Sequence, residues 1–331
     1  MNLYIDKGNL LSLIQSRSES MYDDCVNLLK KQLNIYFNFS KNDLKEEDIL
    51  MTWFVKNFGD GVGQATSLNW DADFPPRPLK SNSANGFNST QLSSVFLLED
   101  VDFIKLQKSE TVLLGGVGEE ISTLNQLFFF QKDYLFEKKW RIGDNEFERW
   151  SDLKSFSLPL TEILIIDPYI LKNKDTDTDT VDINFIEFLG VLAERSNGKI
   201  NIIVVTQPDN MDWDYKELKE KVTAKLIAKT GKKPNVTLIK TKREHDRTIL
   251  TNYKRIYSGD TFNFWNKRGV KITKGREIMY ASLGNIENHS MAIKLIEDVQ
   301  GTISFLERNN PDYIEGDKKS KYLNFNKLLC T

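Results

Sequence analysis

Ile163-Leu164-Ile165-Ile166-Asp167-Pro168-Tyr169-Ile170 and Asn201-Ile202-Ile203-Val204-Val205-Thr206-Gln207 are nearly continuous apolar runs, broken at Asp167 and at Gln207. Such runs suit interior strands of an α/β sheet, covered on both faces. Asp167 and Gln207 then stand at strand ends, where open α/β sheets collect polar site groups. Around these runs, strands are expected at 162–167, 199–206, 235–240 and 247–251. Amphipathic helices are expected at 184–196 and 213–229. Alternation of this kind predicts an α/β fold in two layered domains, the C-terminal one (151–331) with a mixed sheet flanked by helices.

The N-terminal domain, 1–150, reads as α/β as well. Strands are expected at 3–6, 34–39, 94–98 and 111–114, and helices at 21–32 and 46–58. The second helix carries Ile49, Trp53 and Val55 on its apolar side. Residues 59–93 are rich in Gly, Ser, Asn and Pro and predict a long loop. A further helix is expected over 119–140, with Phe128, Phe129, Phe130, Tyr134 and Phe136 recurring at core spacing. The domain boundary falls within 143–158. The polar run 172–180 (KNKDTDTDT) reads as a solvated loop.

With 331 residues and 40% hydrophobic content, the chain has material for two ordinary cores. Lys216–Arg276 holds 18 Lys and Arg against five Asp and Glu, a local excess of +13 that leaves −15 on the rest of a chain totalling −2. Charge segregated in this way points to a polyanionic partner, DNA or RNA. Cys25 and Cys330 lie at opposite ends, with neither metal-ligand spacing nor a disulfide framework, as expected in a reducing compartment. The first residues lack the basic start of a signal peptide, and no run approaches the roughly 20 apolar residues of a membrane span. A soluble, cytoplasmic protein without a membrane span is expected. Two histidines, His245 and His289, exclude a histidine-rich zinc site.

His245-Asp246-Arg247-Thr248-Ile249-Leu250-Thr251-Asn252 lies inside the basic segment. If His245 opens the strand RTILTNYKRI, period-two alternation puts His245, Arg247 and Ile249 on one face. Imidazole and guanidinium would then point together at one anion. Lys240, Lys242, Arg243, Lys254, Arg255, Lys267 and Arg268 are the flanking cations expected to set affinity for a phosphate backbone.

That spacing resembles the active-site strand of the phospholipase-D-like superfamily, whose usual form is His-x-Lys-x4-Asp. In that family a histidine attacks phosphorus and the basic residue steadies the phosphoryl oxygens. Here Arg247 stands at the Lys position and Asn252 at the Asp position. Ile256, Gly259, Phe262 and Phe264 extend the resemblance to a His-Asp-Arg branch. This branch is the module C-terminal to microtubule-interacting-and-trafficking domains, with its prokaryotic relatives, and the match covers about 160–285. In this branch the resemblance implies binding of phosphate-bearing partners, usually without catalysis, as a subunit of a prokaryotic defence-type complex.

The resemblance gives His245 and Arg247 to a phosphoryl oxygen and Asn252 to orienting the histidine, with no cofactor required. Active members use two histidine motifs, in one chain or across a dimer. His289 lacks a basic residue two positions on, so turnover would need a homodimer with facing His245 residues. Arg in place of Lys also argues against turnover, since it does not surrender a proton.

In the first half, Asp6, then Glu46, Glu47 and Asp48, then Glu99, Asp100 and Asp102 follow strands or open helices. The order loosely resembles PIN-like nucleases, which implies Mg2+ or Mn2+ held by Asp6, Asp48 and Asp100. The same acids also suit ordinary helix capping. Gly115-Gly116-Val117-Gly118-Glu119-Glu120 reads as a tight turn, because two acids at the helix start repel phosphate. Four functions follow: a non-cleaving nucleic-acid binder, a dimeric histidine nuclease, an N-terminal metal nuclease, or a protein-docking scaffold.

Overall fold

The computed structural model describes residues 1–59, 67–74, 93–100, 102, 104, 112–128, 135–142, 147–173, 179–266, 268 and 276–317. The chain is α/β and divides into two compact units, Met1–Phe136 with Ser282–His289, and Glu137–Ala281 with Ser290–Thr331. Among the described residues no helix is long and apolar enough to cross a membrane.

The first unit is built on a five-stranded sheet in the order β3-β2-β1-β4-β5, from β1 (Asn2–Ile5), β2 (Asn34–Phe37), β3 (Leu68–Asn69), β4 (Ser94–Leu97) and β5 (Leu113–Gly115). Every pairing in it is parallel. Its described helices include α1 (Lys7–Gln15), α2 (Tyr22–Lys31), α3 (Asp48–Phe58) and α4 (Glu120–Asn125). The in-register pairing sets Tyr4 opposite both Tyr36 and Phe96. Their rings stack at 4.7 and 5.1 Å, with Phe74 edge-on at 5.5 Å. Aromatic pairs of this geometry each contribute about 0.5–1.5 kcal/mol beyond area burial.

The second unit carries an eight-stranded mixed sheet, β13-β9-β8-β7-β10-β11-β12-β6. Its strands are β6 (Glu137–Arg141), β7 (Glu162–Ile166), β8 (Asn201–Thr206), β9 (Asn235–Lys240), β10 (Thr248–Thr251), β11 (Lys254–Ser258), β12 (Glu277–Ser282) and β13 (Ile314–Gly316). β7, β8 and β9 run parallel, while β10 returns antiparallel to β7 and pairs onward with β11. A helix, α5 (Glu187–Leu192), continues from a π-turn at Asp182–Ile186. The next, α6 (Tyr215–Thr230), starts at Asp214, whose carboxylate accepts the Glu217 amide at 2.8 Å. It stops at Gly231, whose φ of +68° suits a residue without a Cβ. The long α7 (Ile286–Asn309) buries Ala292, Leu295, Ile296, Val299, Ile303 and Leu306, a stripe at helical period. Trp150 stacks on Phe188 at 4.0 Å and meets Phe264 and Trp265. Phe262 and Phe264 of the motif-bearing turn are therefore core residues.

Several expectations are corrected. The helix expected over 119–140 ends at Asn125, runs on as a 3-10 turn to Phe128, and gives way to β6, the edge strand of the other unit's sheet. Phe129, Phe130 and Tyr134 lie outside the described residues. Helix α3 buries Leu50, Trp53 and Phe54, whereas Ile49 and Val55 are exposed, because the buried stripe is set by 50, 53 and 54. The stretch 59–93 is not all loop: β3 pairs with β2, and Trp70 stacks on Phe37 at 4.5 Å. RTILTNYKRI is a hairpin, β10 and β11 joined at Asn252-Tyr253, rather than one strand.

Candidate phosphate-facing site

The register of the second sheet brings several polar groups to one edge. Asp167 follows the last residue of β7, and Gln207 the last residue of β8. Because β10 is antiparallel to β7, with Thr248 opposite Ile166, Arg247 arrives at the same edge. β11 ends there too, its Tyr257 opposite Thr248, and the Ser258 amide donates to the Arg247 carbonyl at 3.1 Å. The turn that follows delivers Thr261 and Phe262.

Asp167 is fully buried. It accepts the Thr261 hydroxyl at 2.8 Å, the Phe262 amide at 3.0 Å and the Tyr169 amide at 2.8 Å. Burial pushes its carboxyl up, against the downward pull of those donors and of the Arg247 charge. Arg247 is half-buried, its Nε has no hydrogen-bond partner, and its guanidinium lies 6.0 Å from the Tyr169 ring. His245 is exposed in the segment before β10, its Nδ1 3.5 Å from Gln207 Nε2. Gln207 in turn accepts from Asn210 Nδ2 at 2.9 Å. Asp167, Gln207, His245 and Arg247 thus gather from three strand ends. Thr261, Tyr169 and Asn210 join them without a signal in the motif, although Tyr169 belongs to the apolar run that Asp167 interrupts.

Asn252 does not join them. It is buried at the far end of β10, where its side-chain oxygen accepts the Thr161 and Glu162 amides at 3.0 and 3.1 Å. Its Nδ2 donates to Thr161 Oγ1 at 3.1 Å. Orienting the histidine is therefore not its work.

The flanking cations are also revised. Lys254 is buried with its ammonium 4.7 Å from the Tyr280 ring, and burial, then Arg195, hold it well below the usual lysine range. It is not a surface contact. Lys240 pairs with Glu315 at 2.6 Å, and Lys242 with Asp209. Arg243 lies 3.9 Å over Phe305, and Arg255 4.0 Å over Tyr257. Arg268 is exposed, and Lys267 lies outside the described residues. The basic helix α6 is largely neutralised within the unit. Lys221, Lys225 and Lys229 reach Asp182, Glu187 and Glu194 at 2.7, 2.6 and 2.8 Å, and Lys219 meets Asp317. The +13 excess of the segment therefore overstates the free positive surface. A cleft of about 650 Å³ lies between Trp150, Lys154, Gly190, Lys225 and Trp265. None of the residues expected for the site from sequence lines it, and its lysines are already paired with Glu187 and Glu194.

In the first unit, β1 and β4 form the point where strand order reverses, the usual crevice of a parallel sheet. Asp6 accepts the Glu99 amide at 2.7 Å there, and the Gly8 amide donates to the Glu99 carboxylate. Glu120, which the sequence did not single out as a site, is buried and takes Asn9 Nδ2 at 2.9 Å, Ser12 Oγ at 3.0 Å and the Gly118 amide at 3.1 Å. The Gly115–Gly118 segment is a tight turn, with Gly118 at φ +90°, and its amide is spent on Glu120. Asp48 opens α3, and Asp100 follows β4. Among the described residues no group of three His, Cys, Asp or Glu side chains stands together as a metal would need. Asp6, Asp48 and Asp100 therefore do not fit the divalent ion that the PIN-like resemblance implies.

No family model matches the chain, and no curated protein does. Among solved structures, phosphatidylserine synthase from Haemophilus influenzae Rd KW20 is similar at 12% identity with a TM-score of 0.30. The match covers 61% of this chain and 47% of that one, so the chain spans about half the length of that enzyme.

Proposed function

We propose that the second unit is a degenerate phospholipase-D-like module that binds a phosphodiester backbone, DNA or RNA, at the edge holding His245 and Arg247, without cutting it. The observation that carries this is that Arg247, half-buried and close enough to the buried Asp167 to act on its carboxyl, stands at the same strand ends as the exposed His245. The guanidinium fork matches two oxygens of a phosphate. His245, exposed two residues before it with Nδ1 3.5 Å from Gln207 Nε2, adds a second polar group. A fixed guanidinium and a single imidazole favour holding phosphorus over attacking it.

The test is retention of labelled DNA and RNA by the purified chain at rising salt, with and without magnesium or manganese. Arg247→Ala should weaken retention at least tenfold and reduce the magnitude of the salt slope by about 1. Cleavage that survives chelator and disappears in His245→Ala would instead show a working histidine nuclease. Wild-type retention by Arg247→Ala would remove the site altogether.

A further inference from the structure

Among the described residues three large aromatic side chains stand exposed: Tyr169, Phe305 and Tyr313, at 38, 38 and 42%. They come from three separate places, the turn after β7, the second half of α7 and the turn before β13. All three meet cations of one short segment, Lys240–Arg247. Lys240 Nζ lies 5.8 Å from the Tyr313 ring, Arg243 3.9 Å from Phe305, and Arg247 6.0 Å from Tyr169. Rings covered by cations can serve only to shield apolar surface, which singly exposed aromatics often need. Here, however, every exposed aromatic side chain among the described residues gathers on the segment that also carries His245.

The charge on this segment is thin for a duplex. Lys240 and Lys242 are paired with Glu315 and Asp209, Glu244 accepts the Thr302 hydroxyl at 2.7 Å, and Asp246 is exposed. Duplex DNA presents about one phosphate charge per 1.7 Å, and a single strand about half that density. Bases freed from pairing stack on aromatic rings or on guanidinium planes, and Arg243 is exposed while it covers Phe305.

We infer that Lys240–Arg247, with Tyr169, Phe305 and Tyr313, forms a track for single-stranded nucleic acid, on which rings and guanidinium planes stack bases while Arg247 holds a phosphate. This rests on the phosphate-binding role of Arg247 proposed above.

The experiment is fluorescence anisotropy of the full chain with a labelled oligothymidylate of about 15 nucleotides, near the upper site size of a single-strand-binding fold, and a duplex of matched length. The single strand should bind at least tenfold more tightly. Phe305→Leu and Tyr169→Leu keep apolar bulk but remove the ring face. Each should lose roughly tenfold on the single strand and little on the duplex, while Arg247→Ala weakens both. Equal binding of the two forms, or wild-type affinity in both leucine variants, overturns the track yet leaves the phosphate site standing if Arg247→Ala still fails. Arg247→Ala without effect, no retention of either oligonucleotide, or capture of an acidic protein in their place overturns both.

Discussion

The side-chain oxygen of Asn252 accepts the Glu162 amide at 3.1 Å, joining the end of β10 to the start of β7. Five extended residues at about 3.3 Å each place it roughly 16 Å along the chain from Arg247. The motif spacing is a strand length, and its two ends do different work. Asn252→Ala leaves two amides unmet and should cost about 1–3 kcal/mol in urea unfolding. Salt dependence of nucleic-acid binding should stay at the wild-type slope. A variant that folds with full stability and binds poorly would return Asn252 to the ligand.

Lys254 is buried, and its ammonium sits well below the usual lysine range. Between that depressed value and the ordinary one near 10.4, the unfolded chain holds a proton that the native state lacks, so stability rises with pH across this window. Lys254→Met should flatten that rise and leave oligonucleotide affinity unchanged. A loss of affinity comparable with that of Arg247→Ala would contradict the burial.

His289 is held at about 4 by burial, against an ordinary value of 6.5. Between those values the unfolded state binds the extra proton, so stability is lost as pH falls from about 6.5 towards 4. His289→Gln should lessen that acid-side loss, read as the difference in unfolding midpoint between neutral and mildly acid buffer. An identical difference in both proteins would count against it.

Glu120 is buried and raised by desolvation, which outweighs its donors Asn9, Ser12 and Gly118. Glu120→Ala strands those donors and should destabilise the chain by about 1–3 kcal/mol. Glu120→Gln, which keeps an oxygen for Asn9, should cost less in the same denaturant series.

The α/β fold was legible where pattern and packing agree. The runs at 163–170 and 201–207 are interior strands, and Asp167 and Gln207 end them as continuous apolar sequence implies. The hairpin at Asn252-Tyr253 is hidden in the sequence because Thr-Asn-Tyr-Lys contains no glycine to mark a turn. Helix α1 is masked in the sequence because Lys7–Gln15 opens directly on the end of β1, and its buried Asn9 blurs the apolar stripe. β6, with Lys138 and Trp140 buried and Lys139 and Arg141 exposed, alternates at period two but follows an aromatic run at helical spacing, and the aromatics dominated. At the candidate site, the spacing singles out His245 and Arg247, and the structure brings both to the strand ends where Asp167 and Gln207 lie. The burial of Lys254 was not legible, since local sequence does not show that a lysine is enclosed by the tertiary fold.

Asp167 and Arg247 share one local field, and this ties occupancy to acidity. The positive guanidinium lowers the carboxyl's proton affinity, so an anion that neutralises Arg247 raises it. Ligand capture should therefore be coupled to proton uptake wherever this carboxyl titrates, with association tightening as pH falls through that range. Calorimetric heats that vary with the ionisation enthalpy of the buffer would report that uptake, and Asp167→Asn should abolish the variation.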